Sequence, residues 1–83
     1  MKLLSNGALA STSGSTSTTW TYVGNESPDE ISFANDSNGD IQLNIGEYEF
    51  IVKAGESLDV AFPIPFSEIG ISTNGAYRLM VGV

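Results

Sequence analysis

The sequence predicts an all-β fold, a small antiparallel β-sandwich or barrel with the topology of a partial jelly roll. Apolar and polar side chains alternate with a period of two through most of the chain after Trp20, and Asn, Gly and Pro separate the alternating segments. A period of two puts apolar side chains on one face of a strand and polar ones on the other. With 83 residues, the chain has room for one domain with a modest core.

Four segments show the alternation most clearly and are predicted strands. Three others, over residues 20–23, 31–34 and 68–73, show it less clearly and are predicted as further strands. The apolar positions of the four clear strands are Ile41, Leu43 and Ile45; Tyr48, Phe50 and Val52; Leu58, Val60 and Phe62; and Tyr77, Leu79, Val81 and Val83.

Turn residues lie between these segments. Asn38-Gly39 and Asn74-Gly75 predict two-residue hairpin turns of type I′, because both central residues of such a turn need a positive φ. A tight connection is predicted at Ala54-Gly55. An edge strand or a bend is predicted at Pro63 and Pro65, because proline has no N–H to donate.

Residues 1–19 are predicted to form a flexible or extended N-terminal arm, and residues 20–83 the β-domain. The run from Ser11 to Thr19 contains only Ser, Thr and Gly, so it has no apolar side chain to offset the entropy of folding. Hydroxyl side chains tolerate extended backbone, so the arm is expected to lie along a partner. Its apolar anchor is predicted to be Leu3, Leu4 and Leu9.

Composition limits both the chemistry and the partners. The formal net charge is -7, with Lys2, Lys53 and Arg78 as the only cations, so the chain is expected to bind no nucleic acid. It has no cysteine and no histidine, which excludes disulfides and removes the commonest zinc ligands. Because a small domain without such reinforcement is weakly stable, self-association is expected.

The first residues, Met1 to Leu4, resemble the start of an export signal. Ser5, Asn6 and Gly7 end the apolar stretch after two leucines, whereas a signal needs about 7–15 apolar residues. No later segment reaches the ~18 apolar residues of a membrane span. The expectation is a protein that is made in a cytoplasm and binds no membrane.

A calcium-loop pattern lies in the middle of the chain. Asp36, Asn38, Asp40 and Glu47 fall at positions 1, 3, 5 and 12 of such a loop. Position 6 needs glycine for a sharp turn, and Ile41 stands there. The residues after Glu47 also alternate like a strand, where a calcium loop continues into a helix. We interpret the segment as a turn and predict neither a metal nor a cofactor.

Two further pairs of residues have alternative interpretations. Glu47 and Glu49 lie about 7 Å apart on one strand face, a distance that suits two-carboxylate glycoside chemistry, but such pairs are common among ten acidic residues in a short chain. Trp20 and Tyr22 form either a stacking platform for a sugar or a base, or part of the core or of an interface. Serine has no histidine base here, so no catalytic residue is predicted and the protein is expected not to be an enzyme.

Three interface positions are predicted besides the leucines of the arm. Ile51 and Met80 lie on strand faces opposite the core, where they would form exposed apolar patches. Arg78 also faces outward, either solvated or in a bidentate pair with a carboxylate of the same or a neighbouring subunit. These positions are predicted to be the contacts of a homo-oligomer, a trimer.

The order of a polar Ser/Thr arm, a compact β-domain and a closing strand resembles small bacteriophage virion structural proteins of the capsid decoration or head-fibre-base type. The resemblance is carried by Ser5–Trp20, Val52–Leu58 and Gly75–Val83. It implies a homotrimer on the capsid surface of a virion, made in the host cytoplasm, whose arm contacts the major capsid protein.

A second class of function remains open. The sequence also fits a glycan- or receptor-binding β-module, either free and lectin-like or part of a tail fibre. A stable trimer without sugar binding favours the structural protein, whereas a monomer with a sugar preference favours the binding module.

Overall fold

The computed structural model describes residues 8–83, which form eight β-strands and no helix. The strands make two antiparallel sheets of four that pack face to face, so the predicted all-β sandwich is confirmed. The strands are β1 (Ala8–Gly14), β2 (Thr18–Thr21), β3 (Glu30–Asn35), β4 (Ile41–Ile45), β5 (Tyr48–Val52), β6 (Ser57–Ala61), β7 (Glu68–Ser72) and β8 (Tyr77–Gly82).

The strand order is that of a complete jelly roll. One sheet has the order β1-β8-β3-β6 and the other β2-β7-β4-β5. The first strand pairs with the last, the second with the seventh, the third with the sixth and β4 with β5, so the chain forms one long antiparallel ribbon. Rolling up this ribbon brings β3 against β8 and β4 against β7. The sequence predicts only part of this topology, because alternation marks strands and not their partners.

The midpoint of the ribbon is the two-residue turn between β4 and β5. Gly46 has a φ of 59°, and no residue other than glycine in the described range has a positive φ, so Glu47 has none. A positive φ at the first central residue alone is what a type II′ turn requires, and this turn matches the twist of paired strands. Gly46-Glu47 is therefore a hairpin turn that the sequence analysis does not predict.

The two Asn-Gly pairs do not form the predicted hairpins. Residues 38–39 connect β3 to β4, residues 74–75 connect β7 to β8, and both connections cross from one sheet to the other. A type I′ turn needs a positive φ at both central residues, and among residues 8–83 only Gly46 and Gly55 have one. The prediction of type I′ hairpins at these positions is wrong.

A hydroxyl residue before each Asn-Gly pair gives the physical reason. The N–H of Gly39 donates to Oγ of Ser37 at 3.3 Å, and the N–H of Gly75 donates to Oγ1 of Thr73 at 3.0 Å. Ser and Thr form such local turns in competition with strand pairing. The glycine N–H is then bonded within its own loop, and the chain crosses to the other sheet.

The predicted tight connection at Ala54-Gly55 is confirmed. The N–H of Glu56 donates to the carbonyl of Lys53 at 3.0 Å, and Gly55 has a φ of 76°. A positive φ at the second central residue is the requirement of a type II turn. This turn carries the chain from β5 in one sheet to β6 in the other.

The hydroxyl-rich run from Ser11 to Thr19 contributes to two strands of the sandwich. β1 pairs with β8 and β2 pairs with β7, at one edge of each sheet. The structure differs here from the expected arm, since the boundary predicted at Trp20 falls inside β2. Each strand bonds to the backbone of a more apolar neighbour, so a run without large apolar side chains of its own is ordered.

The core lies between the sheets and is built from apolar side chains of both. β3 is buried on both of its faces, because Ser32 and Ala34 on the outward face are covered as well as Ile31 and Phe33 on the inward face. This continuous burial explains why the alternation of β3 is weak in the sequence. The buried core side chains are Ile31, Phe33, Ile41, Leu43, Ile45, Val52, Phe62, Ile69, Ile71, Tyr77, Leu79 and Val81.

Candidate functional site

Connections between strands gather at the two ends of the sandwich. The connections at one end, called the loop end, are bonded to one another: the N–H of Asp36 donates to the carbonyl of Ala76 at 3.0 Å, and the N–H of Thr73 donates to Oγ of Ser17 at 3.0 Å. The loop end comprises residues 15–17, 36–40, 53–56 and 73–76. The opposite end, called the hairpin end, comprises residues 22–29, 46–47 and 62–67.

Asn35 organises the loop end. Its buried side chain donates from Nδ2 to the carbonyls of Gly39 and Val52, both at 2.8 Å. Its Oδ1 accepts from the N–H of Ser37 at 2.8 Å and from the Ser37 hydroxyl at 2.6 Å. Both donors and both acceptor positions of the amide are used, which ties β3 to β5 in the opposite sheet. The role of Asn35 is not evident from the sequence, because an asparagine beside a turn is common.

Two ion pairs lie at the loop end. Arg78 forms a bidentate pair with Asp36, with Nε to Oδ2 at 2.7 Å and Nη2 to Oδ1 at 3.1 Å. The hydrogen bond from Arg78 lowers the pKa of Asp36, and the same bond raises the pKa of Arg78. Nζ of Lys53 lies 3.6 Å from a carboxylate oxygen of Asp40. Of the two states that the sequence leaves open for Arg78, the structure has the bidentate pair, within the chain.

A polar cleft of about 520 Å³ opens between the two Asn-Gly loops. Its two carboxylates, on Asp36 and Asp40, face the cations of Arg78 and Lys53. Glu47 lies at the hairpin end, because β4 separates it from Asp40. The residues of the calcium pattern therefore do not converge, and the described residues contain no group of three or more acidic side chains placed to hold a metal ion. The cleft is lined by Asp36, Ser37, Asn38, Gly39, Asp40, Asn74, Gly75 and Ala76.

Arg78 and Met80 share a shallow groove on the outer face of the sheet that contains β1 and β8. The groove has a volume of about 380 Å³, and Ser11 and Ser13 of β1 form its other side. Met80 is half-buried there, opposite Ser11 in β1 and Ser32 in β3. The structure thus brings together two of the predicted interface residues.

Ile51 lies on the outer face of the other sheet, on the edge strand β5, where it is 54% exposed. The structure does not bring it together with Met80, because the two side chains project from opposite sheets. Leu9 lies on β1 and is half-buried. Leu3 and Leu4, the rest of the predicted anchor, fall outside the described residues.

An apolar groove of about 350 Å³ opens at the hairpin end, and the sequence analysis does not predict it. Phe62 is buried beneath it, with its ring centroid 5.1 Å from that of Tyr48 and 5.4 Å from that of Phe66. Ile64 is 72% exposed at its side. This aromatic groove is lined by Ile45, Gly46, Glu47, Tyr48, Phe62, Ile64, Pro65 and Phe66.

The loop over residues 62–66 is held at both ends. The N–H of Phe62 donates to the carbonyl of Asp29 at 2.7 Å, and the N–H of Phe66 donates to the carbonyl of Pro28 at 2.9 Å. Two prolines between these anchors fix their φ angles, and the exposed isoleucine stands between the prolines. The Phe-Pro-Ile-Pro-Phe order of this loop is the signal in the sequence that points to the aromatic groove.

The surroundings of the Trp20–Tyr22 and Glu47–Glu49 pairs distinguish between their alternative interpretations. Trp20 and Tyr22 pack against the core, so the core interpretation is confirmed. Their ring centroids lie 6.3 Å apart with the planes tilted by 44°, which does not present two parallel faces to a ligand. Glu47 and Glu49 are both exposed beside the hairpin turn, where water screens their charges.

No protein-family model matches the chain, and no curated protein or solved structure matches it. The part of the chain that the structure describes has no helix long and apolar enough to cross a membrane. Function is therefore inferred from the surfaces of the sandwich.

Proposed function

We propose that this chain is a non-enzymatic structural protein of a virion, a capsid decoration protein that self-associates and docks on the major capsid protein. The observation that carries the proposal is the exposure of large apolar side chains. Val23, Tyr48, Ile51 and Ile64 are 90%, 45%, 54% and 72% exposed. The jelly roll is an architecture of viral capsid domains, and the order of the sequence resembles small bacteriophage virion proteins.

Exposed apolar side chains favour association because burial against a partner removes apolar surface from water. A chain of 83 residues without cysteine has little other reinforcement, since a core of this size contributes roughly 3–5 kcal/mol net. Association stabilises the fold, because anything that binds only the folded state shifts the equilibrium toward it.

The two outer faces of the sandwich carry different apolar side chains. Ile51 projects from one sheet, whereas Met80 and Arg78 lie in the groove on the other. A two-fold contact uses the same patch on both subunits, whereas a head-to-tail contact uses two different patches and closes into a ring only if the rotation between subunits allows it. We propose a homotrimer, the assembly that the resemblance to small virion proteins implies, with Ile51 and Met80 among the residues of its subunit contacts.

Substitution of the two apolar residues tests the proposal. Ile51→Asp and Met80→Asp each place a charge in the subunit contact, and each is expected to lower the mass in light scattering to that of a monomer and to lower Tm. Asn25→Asp is the control, because Asn25 is exposed in the connection over residues 22–29, outside both sheet faces, and should tolerate the charge. The proposal fails if both variants of the apolar residues keep the mass and Tm of the wild type.

A glycan- or receptor-binding module is the second candidate. The polar cleft at the loop end favours it, because Asn38 and Asn74 offer amides for sugar hydroxyl groups and jelly rolls also serve as lectin domains. A glycan-array signal that Asn74→Ala abolishes, together with a monomeric mass, would favour this candidate over the first.

A further inference from the structure

We infer that the aromatic groove binds a basic, extended segment of a different protein, anchored by one large apolar side chain. The inference rests on the proposed docking to a second protein, and it names the surface and the chemistry of that contact. The groove lies at the hairpin end and is separate from the Ile51 face and from the Met80 groove.

The groove has the size and lining of a pocket for one large side chain. Its volume of about 350 Å³ is in the range of small-ligand sites. The ring of Phe62 lies beneath it, and Tyr48 and Ile64 remain exposed at its sides although the fold needs neither of them in the core. Exposed apolar surface around a concave site is typical of an interaction site.

The side of the groove that bears Ile64 is preorganised. The hydrogen bonds of Phe62 and Phe66 hold both ends of the loop, and its two prolines restrict the backbone between them. A loop that is already ordered loses little entropy when a partner binds. An exposed isoleucine on such a loop is therefore available for contact without a folding step.

Charge selects a basic partner over a second copy of this chain. Glu47 lines the groove, and the chain carries a formal net charge of -7. Of its three cations, Lys53 and Arg78 face aspartates at the opposite end of the sandwich, and Lys2 lies outside the described residues. A second copy would bring like charge to this surface, whereas a basic segment brings the opposite charge.

A lipid surface is a poorer fit for the same groove. Anionic head groups repel an acidic protein, and membrane-bound surfaces typically place basic residues around their apolar side chains. Here the charged residue that lines the groove is Glu47. We therefore argue for a protein segment, and zwitterionic vesicles enter the experiment as a competing arm.

Chemical-shift titration of the full ¹⁵N-labelled chain tests the inference. The probe is the peptide acetyl-Lys-Lys-Gly-Leu-Gly-Lys-Lys-amide, with two matched peptides that carry glutamate at every lysine or alanine at the leucine. We expect the basic peptide to shift the amides of residues 45–48, Ile64 and Phe66, and both matched peptides to bind at least about tenfold more weakly.

Two variants separate the groove from general exposure. Ile64→Ser is expected to weaken binding of the basic peptide by about tenfold or more, the loss of one buried aliphatic contact. Val23→Ser removes a still more exposed apolar side chain outside the groove and is expected to leave binding unchanged. Spectra of both variants that otherwise match the wild type show that the fold is kept.

Several results would overturn the inference. These are equal binding of the acidic peptide, shifts away from the groove, and unchanged affinity in Ile64→Ser. Binding to phosphatidylcholine vesicles that Ile64→Ser abolishes, without peptide binding, would identify a lipid surface instead. A loss of oligomer mass in Ile64→Ser would make the groove a contact between copies. Absent peptide binding with an unchanged trimer mass would reject the groove site while leaving the proposed self-association standing.

Discussion

Asn35 joins the two sheets by hydrogen bonds in a chain that has no disulfide. Its amide donates to the carbonyl of Val52 in the opposite sheet and accepts from the N–H and the hydroxyl of Ser37 in the adjoining loop. A carbonyl in the interior that loses its donor has no water to replace it, so a buried amide with every position used contributes more than an ordinary surface hydrogen bond. The loop end is consequently expected to depend on this residue.

Replacement of Asn35 by alanine tests that dependence. Asn35→Ala removes the bonds to the carbonyls of Val52 and Gly39 and to Ser37, and should lower the free energy of unfolding by about 2–3 kcal/mol. Asn44→Ala removes only an exposed bond with Gln42 and should change it by less than about 0.5 kcal/mol. Urea unfolding monitored by Trp20 fluorescence measures both variants, and equal midpoints would contradict the role of Asn35.

The ion pair between Arg78 and Asp36 predicts that the stability of the fold falls at acidic pH. The folded state holds the pKa of Asp36 below its ordinary value of 3.8, through the hydrogen bond from Arg78. A lowered carboxyl pKa stabilises the fold above the unfolded pKa, and this stabilisation is lost as the pH falls through the folded pKa. We expect the carboxyl resonance of Asp36 to titrate below pH 3.8 in the wild type and closer to that value in Arg78→Gln. An identical midpoint in both proteins would show that the pair does not form in solution.

At the scale of elements, the two Asn-Gly loops pack against each other although they form no hairpin. A β-carbon on Gly75 would overlap the Cβ of Ser37, whereas a β-carbon on Gly39 meets no atom within 4 Å. Neither glycine has a positive φ, so the two positions do not differ in backbone strain. Two glycines in equivalent motifs therefore differ only in the space around them.

This difference predicts opposite outcomes for the same substitution. Gly75→Ala should destabilise the fold by about 1–3 kcal/mol, because the loop that carries Ser37 must move. Gly39→Ala should change stability by less than about 0.5 kcal/mol. Thermal unfolding of the two variants decides the point, and a Gly75→Ala protein as stable as Gly39→Ala would mean that the loops are not in contact.

Local pattern predicts the strands well and their partners poorly. Every predicted strand is present, since period-two alternation records which side chains face the core. The positions of the hairpins cannot be predicted in the same way. Ser37 and Thr73 bond the glycine N–H of each Asn-Gly pair within its loop, and the hairpin turn forms at Gly46, which no Asn or Asp immediately precedes. β1 lacks any apolar alternation, and its pairing with β8 spans almost the whole chain.

The candidate sites are also predictable from the sequence only in part. The pair of Arg78 with a carboxylate follows from residue chemistry and is one of the states that the sequence leaves open. The aromatic groove depends on which face Phe62 and Phe66 share with Tyr48, and these residues belong to strands and loops that only the rolled ribbon brings together. Chemistry of one residue is thus predictable from the sequence, whereas a surface made by distant segments is not.

The whole molecule has two unlike ends. The loop end carries the polar cleft and the two aspartates that pair with Lys53 and Arg78, the cations of the described range. The hairpin end carries the aromatic groove and the exposed Ile64. A protein that contacts copies of itself through its sheets and another protein through one end would have this distribution of surfaces. The shared premise of both proposals is that the folded chain does not act alone.

Sedimentation velocity of the wild-type chain over a dilution series from micromolar to sub-millimolar concentration tests this premise most directly. We expect a species of about 26 kDa, three times the chain mass of 8.8 kDa, that dissociates only on dilution and whose Tm rises with concentration. A species of 8.8 kDa at every concentration, with a Tm independent of concentration, would contradict it.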